Sequence, residues 1–229
     1  MSLAGSLQYG EAHVWHVCLD NAIWDMFTSV LSGDERERAD RFATPALQQH
    51  FRRCRSALRL VLARYLNRPA SDLVFRYGRY GKPELDGQRL QFNLSHSGGQ
   101  GLIAISSHAV GIDLECIKPT GSDLPGLIDM VCHEEEKAGL HALSEADRLA
   151  AFYSLWSRKE AYCKMRGAGL QIALPGLRFV AGATPAVHAV AADDGSADGS
   201  YVHDLIAPPG FSASLSLPLA DAKIGVFRA

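Results

Sequence analysis

Three carboxylates sit in segments that otherwise read as buried: Asp113 and Glu115 in "GIDLE" (111–115), and Glu160 in "WSRKEAYCK" (156–164). A bare acid in apolar surroundings is costly unless a cation or hydrogen bonds compensate it. On a strand, residues 113 and 115 share one face with Cα atoms ~6.6 Å apart. That spacing lets two carboxylates converge on one hard cation, and it equally suits an edge strand with a solvated acidic face. Phe152, Trp156, Glu160 and Lys164 recur every fourth residue along one helix row. Glu160 and Lys164 then read either as a surface ion pair worth a few tenths of a kcal/mol or as an inward pair. In the inward case Mg²⁺ accounts for the acid and an anionic substrate for the lysine. Three acids and a lysine together imply phosphoryl-type chemistry.

Two glycine-containing stretches and one arginine stripe extend the list. "FNLSHSGG" (92–99) reads as a strand running into a turn that carries Ser95, His96 and Ser97. Its glycines let backbone N–H groups approach a ligand. The alternatives are a phosphate-sized site and a plain β-turn with a structural histidine. In "YGKPEL" (80–85) Pro83 fixes a loop, and Lys82 is either solvated or an anion contact. Arg52, Arg55 and Arg59 form a stripe that reads mostly as side chains snorkelling around a core helix.

The elements that must hold these residues follow from periodicity. "HVWHVCL" (13–19) predicts a first strand, and "GDERERADRF" (33–42) a helix start. Residues 47–67 predict a long amphipathic helix with Phe51, Leu58, Leu62 and Tyr65 on its apolar face, ended by Asn67 and Pro69. "LVFRYG", "LQFNLS" and "GLIAIS" predict strands. After a break near Ser107–Ala109, "VGIDLECI" (110–117) opens a second half as a strand. A loop over 118–126, helices around 127–140 and 145–166, and five tail strands separated by turns at "DDGSADGS" and "APPG" complete it. Strand, helices and strands thus occur twice, which predicts an α+β fold of two halves, residues 1–108 and 109–229, packed face to face.

Composition bounds the function. The 229 residues are 47% hydrophobic and 21% charged, with net charge −2. No apolar run approaches the ~18 residues of a membrane span, and the start lacks the pattern of a secretory leader. The five cysteines are scattered without zinc spacing and read as buried small hydrophobes in a reducing cytoplasm. Residues 1–110 hold 13 Lys and Arg against 10 Asp and Glu, with the basic excess in 36–68. That pattern predicts one local anion site rather than a polyanion-coated face. A metal-dependent nuclease, which acid-acid-lysine arrangements also serve, would favour an extended basic face. A catalytically silent binding module would not need the whole acid and lysine set.

"GKPEL", "FNLSHSGG", "VGIDLE" and "FYSLWSRKEAYCKMRGAGL", in this order and spacing, resemble the 4′-phosphopantetheinyl transferases of the surfactin-synthetase-activating class. The likeness runs from about Ser32 to Leu170, and "GFSASLSLP" weakly matches the family's last core strands. It implies two similar α/β subdomains related by pseudo-twofold symmetry, with the active site between them. The implied reaction moves 4′-phosphopantetheine from coenzyme A to a serine of an apo acyl or peptidyl carrier protein, releasing adenosine 3′,5′-bisphosphate. The resemblance makes Asp113, Glu115 and Glu160 the ligands of Mg²⁺, or of Mn²⁺, which suits the same donors. Glu160, or a water held by Glu115, would take the carrier serine's proton, and Lys164 would stabilise charge on the diphosphate. Arg38, Lys82, Ser95, His96 and Lys159 would contact coenzyme A, with His96 on the 3′-phosphate and Lys159 near the diphosphate. Glu35 stands where some members have Lys. In "MVCHEEEKAGL", which replaces the family's more aromatic F-S-x-x-E, Glu136 aligns with the acid. The resemblance further implies a monomer, while cysteine usage, hydropathy and charge predict a cytoplasmic protein that binds no nucleic acid and no membrane.

Overall fold

The computed structural model describes residues 7–85, 87, 90–120, 123–169, 172–181, 186–192 and 197–229. Residues 193–196 of the expected "DDGSADGS" turn (193–200), the middle of the 118–126 loop and the Leu170 end of the longest motif lie outside them, and residues 197–200 are strand rather than turn.

Strand β1 (Glu11–Cys18) is followed by a 3-10 segment (Ala22–Val30), helix α1 (Gly33–Asp40) and helix α2 (Pro45–Leu66). Thr44 caps α2 by accepting a hydrogen bond from the Leu47 N–H at 3.3 Å, and Pro45 occupies the first turn. Asn67 ends it in the left-handed region, φ 49°. Strands β2 (Phe75–Tyr77), β3 (Pro83–Leu85), β4 (Gln91–Ser97) and β5 (Gln100–Ser106) complete the first half. Strand β6 (Gly111–Cys116) opens the second, followed by α3 (Leu124–Val131), α4 (Glu134–His141) and α5 (Glu145–Arg166). Strands β7 (Leu177–Ala181), β8 (Val187–Ala192), β9 (Ala197–Asp204), β10 (Phe211–Leu217) and β11 (Lys223–Arg228) end the chain.

Two main sheets form, in the orders β11-β1-β5-β4 and β6-β10-β9-β8-β7, beside a small β2-β3 hairpin. One face of the first sheet, with Trp15, Val17, Phe92, Ile103 and Ile105, packs on Cys54, Leu58, Val61 and Leu62 of α2. Its other face, with Ala12, Val14, Leu102 and Ala104, meets Ile112, Leu114, Ala213, Leu215 and Leu217 of the second sheet. Helix α5 covers the far side of that sheet through Tyr162, Cys163 and Met165. The layers are therefore helix, sheet, sheet, helix, and each half has its own 22-residue helix. Burying each large aliphatic side chain in such a core contributes about 1.5–3 kcal/mol.

The structure departs from the sequence reading at definite places. Residues 83–85 form strand β3, paired with β2 in the register Phe75↔Leu85, rather than a loop. The helix expected around 127–140 is two helices that begin at Leu124, broken at Cys132 and His133. His133 accepts from the Glu135 N–H at 3.2 Å, and its own N–H donates to Glu136 at 2.9 Å, so a new helix starts there. Strand β11 crosses the boundary expected at 108/109 and pairs in parallel with β1, Val14 opposite Val226. Cys54, Cys132 and Cys163 are buried as expected, whereas Cys18 is exposed.

Candidate active site

The acids sit where three elements meet: the edge of β4, strand β6 and helix α5. Strands β4 and β6 belong to different sheets, and polar side chains at alternate positions of β4 join them. The Ile112 N–H donates to Asn93 Oδ1 at 2.9 Å, and the Cys116 N–H donates to Ser97 Oγ at 3.1 Å. Ser95 Oγ donates to Asp113 Oδ1 at 3.1 Å. This explains the polar alternation of "FNLSHS". Ser95, His96 and Ser97 are strand residues, and the turn expected to carry them is only Gly98-Gly99. Both glycines have positive φ, 50° and 76°, as a two-residue hairpin turn requires.

Helix α5 approaches β6 with no room for a side chain at Gly111. A Cβ there would lie 2.0 Å from the Ala161 carbonyl oxygen and 2.2 Å from the Met165 nitrogen. Beneath the helix, Ser157 Oγ shares hydrogen bonds with Ser212 and Ser214 of β10 at 2.9 and 3.0 Å. Ser212 and Ser214 are the cross-strand partners of Glu115 and Asp113. The polar face of β6 and β10 is thus turned toward α5, and a solvated acidic edge is excluded for Asp113.

Asp113 is 1% exposed. Its Oδ1 receives Lys164 Nζ at 2.5 Å, and Lys164 also donates to Ser95 Oγ at 3.1 Å. Its Oδ2 is buried with no hydrogen-bond partner among the described residues. Burial, followed by the charge of Asp113, pushes the Glu115 carboxyl up to about 7; Lys164 opposes the rise and Glu160 adds to it. Glu160 is also raised, by burial first, with Lys164 opposing and Asp113 reinforcing. Two carboxyls of raised pKa beside the buried Asp113 carboxylate, which has an orphaned oxygen, are hard oxygen donors of the kind a divalent cation takes. Among the described residues no group of three acids, histidines or cysteines stands closed at metal-ligand spacing. The Lys164 ammonium takes one Asp113 oxygen.

A cavity of about 330 Å³ opens beside Lys164. Arg38, Arg55, Tyr77, Ser95, His96 and Lys164 contribute its polar lining, and no acid lines it among the described residues. The Arg38 guanidinium lies over the rings of Phe51 and Tyr77, 5.5 and 5.9 Å from their centroids. His96 lines the cavity while keeping substantial solvent exposure. Desolvation, then the charges of Lys164 and His50, lower its pKa. The charged groups in the cavity's polar lining are cationic, with Arg55 and Lys164 each already paired with an acid.

Arg55 and Arg59 are held by a partner that the sequence reading left unassigned. Glu35, 1% exposed, receives Arg55 at 2.9 Å and Arg59 at 2.6 Å. Arg59 further donates to the carbonyls of Ala70 and Leu73, both at 2.9 Å, and Arg55 to the Tyr77 hydroxyl at 2.7 Å. Arg55 and Arg59 therefore do not snorkel as expected but bury their guanidiniums on Glu35, and Arg52 pairs with Asp40.

Two lysines stand away from their expected places. Lys159, 0% exposed, donates to the carbonyls of Val131, Leu174 and Leu177 at 2.8–2.9 Å and pairs with Glu136 at 2.7 Å. One residue along a helix turns a side chain by about 100°, so Lys159 faces α3 and α4 while its neighbour Glu160 faces the acids. The contact near the diphosphate gives way to a buried hub, and Glu136 becomes its counter-charge. Lys82 is likewise tied up, its ammonium donating to the carbonyls of Val110, Lys164 and Met165 at 3.0, 2.8 and 3.3 Å. Burial lowers its pKa, with Glu84 opposing. The geometry sets Arg38, Ser95, His96 and Lys164 on one cavity, ties Asp113 to it through Ser95 and Lys164, keeps Glu115 and Glu160 within electrostatic reach of Asp113 and Lys164, and leaves Lys159 apart from them.

Known proteins match much of the chain. The 4′-phosphopantetheinyl transferase superfamily profile matches residues 109–204, the span from just before β6 to the end of β9. The phosphopantetheinyl transferase HetI of a Nostoc species is 37% identical over 169 residues, covering 70% of each chain. Sfp of Bacillus subtilis is 31% identical over 151 residues, covering 66% of each. A third, AcpT of Salmonella typhimurium, is 40% identical over 111 residues, covering 48% of this chain and 56% of that one. The matched stretches span about two thirds of the length of HetI and Sfp. A solved holo-[acyl-carrier-protein] synthase from Thermotoga maritima overlaps at TM-score 0.36 and 17% identity, over 48% of this chain and 61% of that one, too weak a likeness to bear on the fold. The chain belongs to the 4′-phosphopantetheinyl transferase superfamily. Its reaction is that family's transfer of phosphopantetheine from coenzyme A to a carrier protein, which sets aside the nuclease reading.

Proposed function

We propose that transfer is of the holo-[acyl-carrier-protein]-synthase type and depends on a divalent cation, Mg²⁺ or Mn²⁺, held by Asp113, Glu115 and Glu160. The observation that carries this reading is the buried Asp113 carboxylate. One oxygen is shared by Ser95 and Lys164, and the other has no partner among the described residues, beside two carboxyls of raised pKa. A bound divalent cation supplies Lewis-acid charge for the diphosphate oxygens of coenzyme A. The remaining chemistry is positional. Arg38 and His96 hold the nucleotide phosphate in the cationic cavity, and Lys164 faces the diphosphate from the cavity wall. The carrier serine's Oγ attacks the phosphorus that bears pantetheine, its proton passing to Glu160 or to a water on Glu115. The phosphorus–oxygen bond to the nucleotide breaks, and adenosine 3′,5′-bisphosphate leaves with charge that Lys164 offsets. The active site then lies between the two halves, in a cytoplasmic monomer.

Incubation with coenzyme A, Mg²⁺ and a panel of apo acyl, peptidyl and aryl carrier proteins tests this by intact mass. A phosphopantetheine adduct on at least one carrier, abolished by EDTA and restored by Mg²⁺, is expected. Transfer that persists in EDTA would contradict the cation dependence, and no adduct on any carrier would remove the functional reading.

A further inference from the structure

The resemblance puts Lys82 on a coenzyme A phosphate, yet its ammonium already has three acceptors. They are the carbonyls of Val110, Lys164 and Met165, at 3.0, 2.8 and 3.3 Å. An ammonium has three hydrogens to donate, so these acceptors use its whole capacity. They come from two elements distant in sequence. Val110 immediately precedes Gly111, where β6 begins, and Lys164 and Met165 lie at the end of α5. Lys82 itself stands between Gly81 and Pro83, both of which line the cleft. The backbone around it is pinned: the Gly78 N–H donates to the Lys82 carbonyl and the Gly81 N–H to the Gly78 carbonyl, both at 2.9 Å. One cation thus joins the wall of the cavity, the acid-bearing strand and the end of the helix that carries Glu160 and Lys164.

The junction is not explained by helix capping alone. Gly167, at φ 64°, already ends α5, its N–H donating to the Lys164 carbonyl and the Ala168 N–H to the Cys163 carbonyl, both at 3.3 Å. Lys82 adds a tie from the first half of the chain at the residue whose side chain grips Asp113. Resting on the functional reading above, we propose that Lys82 is a positioning residue for phosphopantetheinyl transfer. It fixes the end of α5 against the start of β6, so that Lys164 stays on Asp113 and Glu160 faces the same gap, and it does not contact coenzyme A.

The split between kcat and KM separates this role from a phosphate contact. Lys82→Met and Lys82→Arg are compared with wild type in carrier transfer, alongside Mn²⁺ binding followed by electron paramagnetic resonance. Lys82→Met is expected to lower kcat by about ten- to a hundredfold, as a displacement of about 1 Å would, with KM for coenzyme A within about twofold. It also weakens Mn²⁺ binding, and Lys82→Arg, which keeps charge and donors, recovers most of both. A KM for coenzyme A raised about tenfold at unchanged kcat would place the ammonium on the substrate and overturn the proposal. Unchanged kcat and Mn²⁺ binding would overturn it too. If Lys82→Met does not fold, Lys82→Gln, a neutral donor, gives the same comparison. A wild-type protein without transfer activity would remove the functional reading, and this inference with it.

Discussion

Gly111→Ala puts the closest contact of the site under direct strain. The added Cβ would lie 2.0 Å from the Ala161 carbonyl oxygen, 2.2 Å from the Met165 nitrogen and 2.9 Å from its Cα. All three are helix backbone, so no side-chain rotation relieves them. Restoring ordinary contact requires α5 to retreat from β6 by about 1.4 Å, and overpacking of this kind costs about 1–3 kcal/mol. For a chain of this size that lowers Tm by about 2–12 °C, at 2–4 °C per kcal/mol. The functional cost is of similar size to the structural one. Glu160 and Lys164 ride on α5 while Asp113 and Glu115 stay on β6, and a displacement of about 1 Å lowers turnover on the order of a hundredfold. Gly139→Ala on α4 is the control, because its Cβ meets nothing within 4 Å. In a helix interior that change stabilises by about 0.5–1 kcal/mol, and transfer should stay at the wild-type rate. Circular dichroism melts and mass-based transfer assays read both variants. Gly111→Ala with wild-type turnover and an unchanged melt would refute the claim that contact between α5 and β6 sets the site.

Other substitutions separate the remaining roles. Lys159→Met strands three carbonyls and Glu136, and removing one partner of a buried pair costs about 3–5 kcal/mol. Its Tm should fall by about 6–20 °C while turnover of the folded fraction persists; lost turnover at an unchanged melt would put Lys159 at the substrate. Glu160→Gln should keep coenzyme A binding, measured by calorimetry, and lower transfer by about 10²–10⁴-fold. Unchanged transfer would remove Glu160 from proton transfer and from the cation. His13, His16 and His203 have pKa values lowered by burial below the ordinary 6.5. The unfolded chain therefore binds protons more readily, and the stability these residues contribute is present above pH 6.5 and is lost as pH falls through their folded values. Melts between pH 8 and 5 should show Tm falling on the acid side; a flat profile would contradict their burial in the neutral form.

Local periodicity carried much of this molecule. The alternation in "GIDLE", the apolar face of α2 and the row from Phe152 to Lys164 were legible because each depends on neighbours a few residues away. Partners distant in sequence were not. Nothing in "KIGVF" shows that β11 returns to β1. Nothing near Lys82 points to carbonyls 28 and 82 residues away. Lys159 and Glu160 read as a unit because they are adjacent, but a helix turns adjacent side chains apart. Of the two readings of the Gly-Gly pair, a phosphate-sized site and a plain β-turn, the structure shows a hairpin turn, for which two consecutive glycines before a new strand are the ordinary signal. The polar alternation at Asn93, Ser95 and Ser97 was a signal for a seam between two strands, and Gly111 beside Asp113 was one for close helix approach.

The central claim is that acids from β6 and α5 grip a divalent ion against the diphosphate of coenzyme A. A crystal grown with coenzyme A and Mn²⁺ tests it through the anomalous scattering of manganese. A peak among the carboxylates of Asp113, Glu115 and Glu160, with the diphosphate on its open side and the nucleotide phosphate near Arg38 and His96, is the predicted result. A manganese peak elsewhere, or a diphosphate bound away from these acids, would contradict the account.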